Sequence, residues 1–234
     1  QGHGEMIYAV WSGVYICPSC GKEIVFCGDI SDKYTGRIND NFACPDCNSL
    51  QSKKTLNRLF ISSYDEQLGE VISIAKTVPV LIKYRVGKKS YTKEIDSSDL
   101  ELFEKIENLK IDDWVPTFKL DEGYNTNQPI RSNGITHIHH FYHKRNLIIL
   151  GRIYKYLKDD KHLLFWFTSQ LINLSKLNRY RPEVSFPYNP LNGTLYISSQ
   201  VCESNVFDAY ENKLNKIETA LKDVKHKNIG GVIS

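Results

Sequence analysis

The chain has 234 residues, 41% of them hydrophobic, 12% aromatic and 24% charged, which supports a substantial buried core and excludes a disordered tail. Its formal net charge of +3 is too small to imply nucleic acid by itself. No run of about 18 apolar residues offers a membrane span and no basic-then-apolar leader is in view, so the expected compartment is the cytoplasm.

Gln1-Gly2-His3 reads as the remnant of an expression tag ahead of a strand-like Met6-Ile7-Tyr8-Ala9-Val10, and the chain is therefore expected to be a fragment of something longer. Two Cys-Pro-x-Cys units follow, Cys17-Pro18-Ser19-Cys20 and Cys44-Pro45-Asp46-Cys47. Two residues between ligands let a tight turn aim both sulfurs at one ion, and two such units at ribbon spacing predict a structural zinc site over residues 4–50. Iron in the same sulfur cage, as in rubredoxin, is the competing metal. Gly21 and Asn48 follow the units and tolerate the positive φ that the exit from such a turn needs. The 23 residues between the units read as an outgoing strand, Glu23-Ile24-Val25-Phe26, and a returning one, Asn41-Phe42-Ala43. Cys27 and Cys202 read as small buried hydrophobes.

Residues 51–133 read as an α/β segment. Ser63-Tyr64-Asp65-Glu66 has capping-box form and predicts a helix carrying Leu68, Val71, Ile72 and Ala75, ended by Pro79. Val80 to Val86 reads as a strand turned by Gly87-Lys88 into another, Ser90 to Ile95. Ser98-Asp99-Leu100-Glu101 predicts a helix with Leu102, Phe103, Ile106 and Leu109 on one face, and residues 110–134 read as a long loop. Residues 134–234 read as mostly helical. Helices are predicted over Lys144 to Lys158 and over Leu163 to Leu177, the second apolar nearly all round. A short strand is predicted over Gly193 to Ile197, and Phe186-Pro187-Tyr188-Asn189-Pro190 reads as a proline-rich loop. A last helix carries Tyr210, Leu214, Ile217, Leu221 and Val224, as a docked helix or a coiled-coil seam. The fold class expected is α+β.

Two features concern charge. Lys53, Lys54 and Arg58 leave the ribbon with no acid among residues 51–58, and four Lys/Arg lie between Lys161 and Pro182, again without one. Solvated faces are the plain reading of such runs. His137, His139, His140 and His143 lie within seven residues. A helix begun by His139 would put His139 and His143 on one face, but no acid between them completes a metal site. A helix entry whose imidazoles and following Lys144-Arg145 meet phosphate stands beside the alternative of two buried and two solvated histidines.

The run Trp11 to Phe26 resembles a family of bacterial and phage DNA methylases that carry a zinc ribbon. Val78-Pro79-Val80-Leu81-Ile82-Lys83-Tyr84, Gly134-Ile135-Thr136-His137-Ile138-His139-His140-Phe141-Tyr142, Lys144-Arg145-Asn146-Leu147 and Gly193-Thr194-Leu195-Tyr196-Ile197 resemble its later blocks in the same order. Asn48, in place of a common Gly, and His143, in place of a frequent Thr, depart from the pattern. The resemblance implies an enzyme that moves a methyl group from S-adenosylmethionine to the exocyclic amine of adenine or cytosine, as in restriction-modification. Its cofactor-holding Gly-rich loop and base-gripping Pro-Pro motif are not found in this sequence. The chain is thus expected to be a non-catalytic insert of the parent enzyme, with zinc on Cys17, Cys20, Cys44 and Cys47 and S-adenosylmethionine bound elsewhere in the parent. DNA is the expected partner, met through Lys53, Lys54, Arg58, His140, His143, Lys144 and Arg145. Alternatives are a free-standing zinc-ribbon adaptor for protein or RNA, and an iron-sulfur electron carrier.

Overall fold

One long strand organises the molecule. β1 (Glu5–Ile16) is rich in β-branched and aromatic residues, and Ala9 and Val10 are both fully buried, so the strand is covered on its two faces. The structure, a computed structural model, describes residues 4–182 and 190–226. Gln1-Gly2-His3 and, of the proline-rich run, Phe186-Pro187-Tyr188-Asn189 lie outside them.

The first half of β1 sits within a mixed α and β body. It pairs antiparallel with β10 (Gln200–Ser204) on one side and with β8 (Thr77–Val86) on the other. β9 (Lys89–Glu94) completes the order β10-β1-β8-β9. The last residues of β1 leave this body and enter the ribbon. There Val14 to Ile16 pair with β2 (Glu23–Val25), and Tyr15 and Ile16 also pair with β5 (Asn57–Arg58). The sheet draws strands from residues 4–50, 51–133 and 134–234 alike, so these three segments fold together.

Each cysteine unit closes its own hairpin. The first joins β1 to β2, and the second joins β3 (Asn41–Ala43) to β4 (Leu50–Ser52). The outgoing and returning strands therefore do not pair with each other as the sequence suggests, because each needs its partner across the knuckle. A small core of Tyr15, Ile24, Phe26, Ile30 and Phe42 surrounds the buried Cys17 and Cys44.

The helix expected from Ser63 is a hairpin instead. β6 (Phe60–Asp65) pairs with β7 (Glu70–Ala75) around a turn in which Asp65 Oδ1 accepts from the amides of Gln67 and Leu68, and Gly69 takes a φ of +70°. Asp65 caps a turn rather than a helix, and the cluster Val71, Ile72, Ile74 favours a strand. Pro79 does not end a helix; it lies inside β8, opposite Trp11, next to a bulge at Val80 where a missing amide costs no ladder bond. α1 (Ser97–Glu107) forms where expected, but Asp96 and Asp99 make its capping box, not Ser98 and Glu101. The long loop contains α2 (Tyr124–Asn133), ended by Gly134 in the left-handed region.

Beyond residue 134 the chain forms α3 (Lys144–Leu157), α4 (Lys161–Leu171) and α5 (Val206–His226), together with the sheet strand β10. Their shared core contains Leu150, Leu157, Phe167, Leu174, Val206 and Tyr210. α4 stops six residues short of Leu177 and leaves Phe165 74% exposed, so it is not buried all round. Residues 193–197 form no strand; the strand comes later, as β10. Among the described residues no helix is long and apolar enough to cross a membrane.

Candidate metal centre

The two knuckles are built alike. In the first, Gly21 N–H donates to Cys17 O at 2.9 Å and Cys17 N–H to Lys22 O at 2.9 Å. In the second, Asn48 N–H donates to Cys44 O at 2.9 Å and Cys44 N–H to Ser49 O at 3.0 Å. Gly21 (φ +73°) and Asn48 (φ +57°) both take the left-handed conformation that lets the chain leave the turn.

This repeated turn brings four thiols to one point. All four Sγ atoms lie within 4.8 Å of one another, with Cys17 to Cys47 at 3.9 Å and Cys20 to Cys44 at 3.8 Å. A tetrahedral ion with metal–sulfur bonds of about 2.3 Å requires sulfurs roughly 3.8 Å apart, so the cage has the size of a zinc thiolate site. A disulfide would need about 2.0 Å. Ser49 Oγ stands 2.9 Å from Cys47 Sγ and is itself bonded by the Gln51 side chain, a second layer that fixes the thiol's direction. The donor set and its spacing fit a metal such as zinc. Cys27 and Cys202 are 2% and 3% exposed and stand outside this group.

The basic residues separate into two groups. Lys53, Lys54 and Arg58 stay beside the ribbon, with Lys53 Nζ 4.9 Å above the Phe26 ring and the Arg58 guanidinium 5.3 Å from Tyr15. Among the described residues no acid pairs with any of the three. Arg145, by contrast, points inward. Its Nε donates to Glu203 Oε1 at 3.0 Å, its Nη2 lies 2.9 Å from Oε2 off the line of a good hydrogen bond, and its plane covers Phe103. Glu203 is 1% exposed and also accepts from Trp11 Nε1 at 2.7 Å. Burial raises its carboxyl, but the neighbouring His143, Arg145 and Trp11 outweigh that and hold it down.

His140, His143 and Lys144 are drawn in as well. His143, 7% exposed, stacks on Trp11 at 4.6 Å between ring centres, and burial pushes it down to about 3 against the pull of Glu203. Lys144 Nζ donates to Glu107 O at 2.6 Å and lies 3.7 Å from Glu66. The phosphate-facing surface expected of His140, His143, Lys144 and Arg145 is therefore not formed. Helix α3 does begin at Lys144, but at its entry His143 stacks on Trp11 of β1, Arg145 pairs with Glu203 of β10 and Lys144 reaches Glu107.

The histidine loop holds what the sequence did not reveal. Residues Ile138–Phe141 make one turn of 3-10 helix, so His139 and His143 share no helix face. His139 and His140 instead project side by side, ring centres 4.3 Å apart, and both bring Nε2 to Asp65 Oδ2, at 2.8 and 2.7 Å. Burial raises the Asp65 carboxyl, yet the two imidazole hydrogen bonds win and hold it at about 2. Burial pushes His140 down to about 4, with Asp65 opposing. Lys176 donates to His140 O at 2.8 Å, and its burial lowers it to about 8 in spite of Glu107 and Glu203. The acid missing from between the histidines thus comes from a hairpin turn 74 residues upstream. The turn chemistry Asp65-Glu66-Gln67-Leu68-Gly69 was the only trace of it in the sequence. No family model, no curated protein and no solved structure matches the chain.

Proposed function

We propose that this chain is a zinc-anchored module of an S-adenosylmethionine-dependent DNA amino-methyltransferase, which holds DNA for the parent enzyme and does not itself transfer the methyl group. The observation that carries the reading is how the resembling blocks are placed. Trp11, Ile82, Ile135, Phe141 and Ile197, one from each of the first, second, third and last blocks and a second from the third, lie in one core cluster. Segments spread over most of the chain thus meet in one core, as the reading requires of blocks that belong to one module.

DNA contact falls to the ribbon in this reading. Lys53 and Arg58 lie over Phe26 and Tyr15 of the ribbon's core, with Lys54 next in the chain, free of acidic partners among the described residues. Such cations neutralise phosphates and position a duplex without reading its bases. Lys53→Ala with Lys54→Ala should weaken binding to mixed-sequence duplexes and flatten the slope of log K on log salt by about 1.8, since each phosphate contact contributes about 0.9. A double variant that melts like the wild type but keeps its affinity and slope would remove the ribbon from the DNA surface. Calorimetry with S-adenosylmethionine should show no binding, because the reading leaves that cofactor to the rest of the parent enzyme.

A further inference from the structure

Outside the ribbon, one other group of described side chains can ligate a metal: Asp65, His139 and His140, whose donor atoms lie within 4.8 Å of one another. We infer that these three residues form a second metal site, taking a divalent ion of the zinc class on Asp65 Oδ2 and the two Nε2 atoms. Its remaining coordination positions open on the neighbouring cavity.

The donors already converge. Both imidazoles point at the same carboxylate oxygen, and the three side chains are only 8%, 5% and 4% exposed, which keeps bulk water from competing. Metal–ligand bonds of about 2.0–2.2 Å place neighbouring donors roughly 3.0–3.5 Å apart. The present contacts of 2.8 and 2.7 Å need to open by less than about 1 Å to admit the ion, a movement within side-chain rotation.

The surroundings are those of a held site. The amides of Gln67 and Leu68 fix Asp65 Oδ1, so Oδ2 is the oxygen presented. His140 Nδ1 has Thr136 Oγ1 at 3.4 Å, an acceptor for the ring proton of a metal-bound imidazole; its 3.3 Å contact from Thr136 N–H is given up on loading. His139 Nδ1 is buried without a hydrogen-bond partner among the described residues. The His139 ring is thus held through Nε2 alone, the nitrogen it presents to the site.

Two imidazoles and one carboxylate select zinc, iron(II) or cobalt over calcium and magnesium. Three protein ligands is the count of a site that keeps a position for water or a ligand, unlike the closed four-thiol cage. The open side faces a cavity of about 640 Å³, lined among others by Trp11, Glu107, Lys144 and Lys176.

The test is zinc stoichiometry on the full chain, loaded with zinc, passed through gel filtration and analysed for metal. Wild type is expected to carry two zinc ions, and His139→Ala and His140→Ala one each. The second equivalent of cobalt(II) is expected to add absorbance without a thiolate charge-transfer band. Saturation of the wild type at one zinc overturns the site whatever the variants do, and so does retention of two ions by both folded histidine variants. A thiolate band on the second equivalent also overturns it, since that ion would then sit on cysteine.

Discussion

Arg145→Ala separates a residue that ties the core from one that meets DNA. The substitution leaves Glu203, 1% exposed, with the Trp11 indole as its remaining strong donor. Breaking a buried pair from one side costs about 3–5 kcal/mol, and a domain of this size loses about 2–4 °C per kcal/mol, so the melting temperature should fall by roughly 6–20 °C at neutral pH. The sign with pH follows from the orphaned acid. Without Arg145 the Glu203 carboxyl rises, takes up a proton more readily on acidification and ceases to be a buried charge, so the deficit against wild type should shrink as the pH is lowered. The pair Arg145→Met with Glu203→Gln, which keeps volume and an acceptor for Trp11, should recover at least half of the loss. Circular dichroism melts of wild type and the two variants at neutral and mildly acidic pH are sufficient. An Arg145→Ala protein that melts within about 2 °C of wild type at neutral pH would refute the reasoning.

Gly134→Ala should destabilise by several kcal/mol, because Gly134 has a φ of +71° and a Cβ there would meet Ser73 O at 2.1 Å, against backbone that cannot yield; a denaturant midpoint equal to wild type contradicts this. His143 predicts an acid limb. An unfolded imidazole titrates near 6.5 and the buried one at about 3, so the unfolded state binds more protons between those values and stability falls as pH drops through that window, by at most roughly 5 kcal/mol. His143→Phe keeps a ring on Trp11 without the proton and should flatten that limb in melts recorded from neutral pH downward; an unchanged limb would assign the acid loss to other groups.

What the sequence revealed and concealed has physical causes. The four-thiol cage is legible because ligand chemistry and turn geometry are local: two residues between thiols and a left-handed exit at Gly21 and Asn48 are written in consecutive letters. The β6–β7 hairpin was not. Phe60, Ile61, Tyr64 and Val71 are all exposed, so neither strand alternates cleanly, while Leu68, Val71, Ile72 and Ala75 fit helical spacing by coincidence. β10 was hidden for the opposite reason. Glu203 and Ser204 are polar yet buried, satisfied by partners such as Trp11, Arg145 and Asn178 that come from distant parts of the chain. The same long-range pairing buried His140 and His143 and drew the half-buried Lys144 and Arg145 against the body. Their charge was visible in sequence, but their acids, Asp65, Glu107 and Glu203, became neighbours only on folding.

The account rests on the four-thiol cage as the anchor of the ribbon. X-ray absorption at the zinc edge, on chain loaded with a single equivalent of zinc, tests it most directly. Four sulfur scatterers at about 2.3 Å are predicted, with the signal lost in Cys17→Ser or Cys44→Ser. A shell of nitrogen and oxygen at that first equivalent, or a four-sulfur shell retained by both cysteine variants, would contradict it.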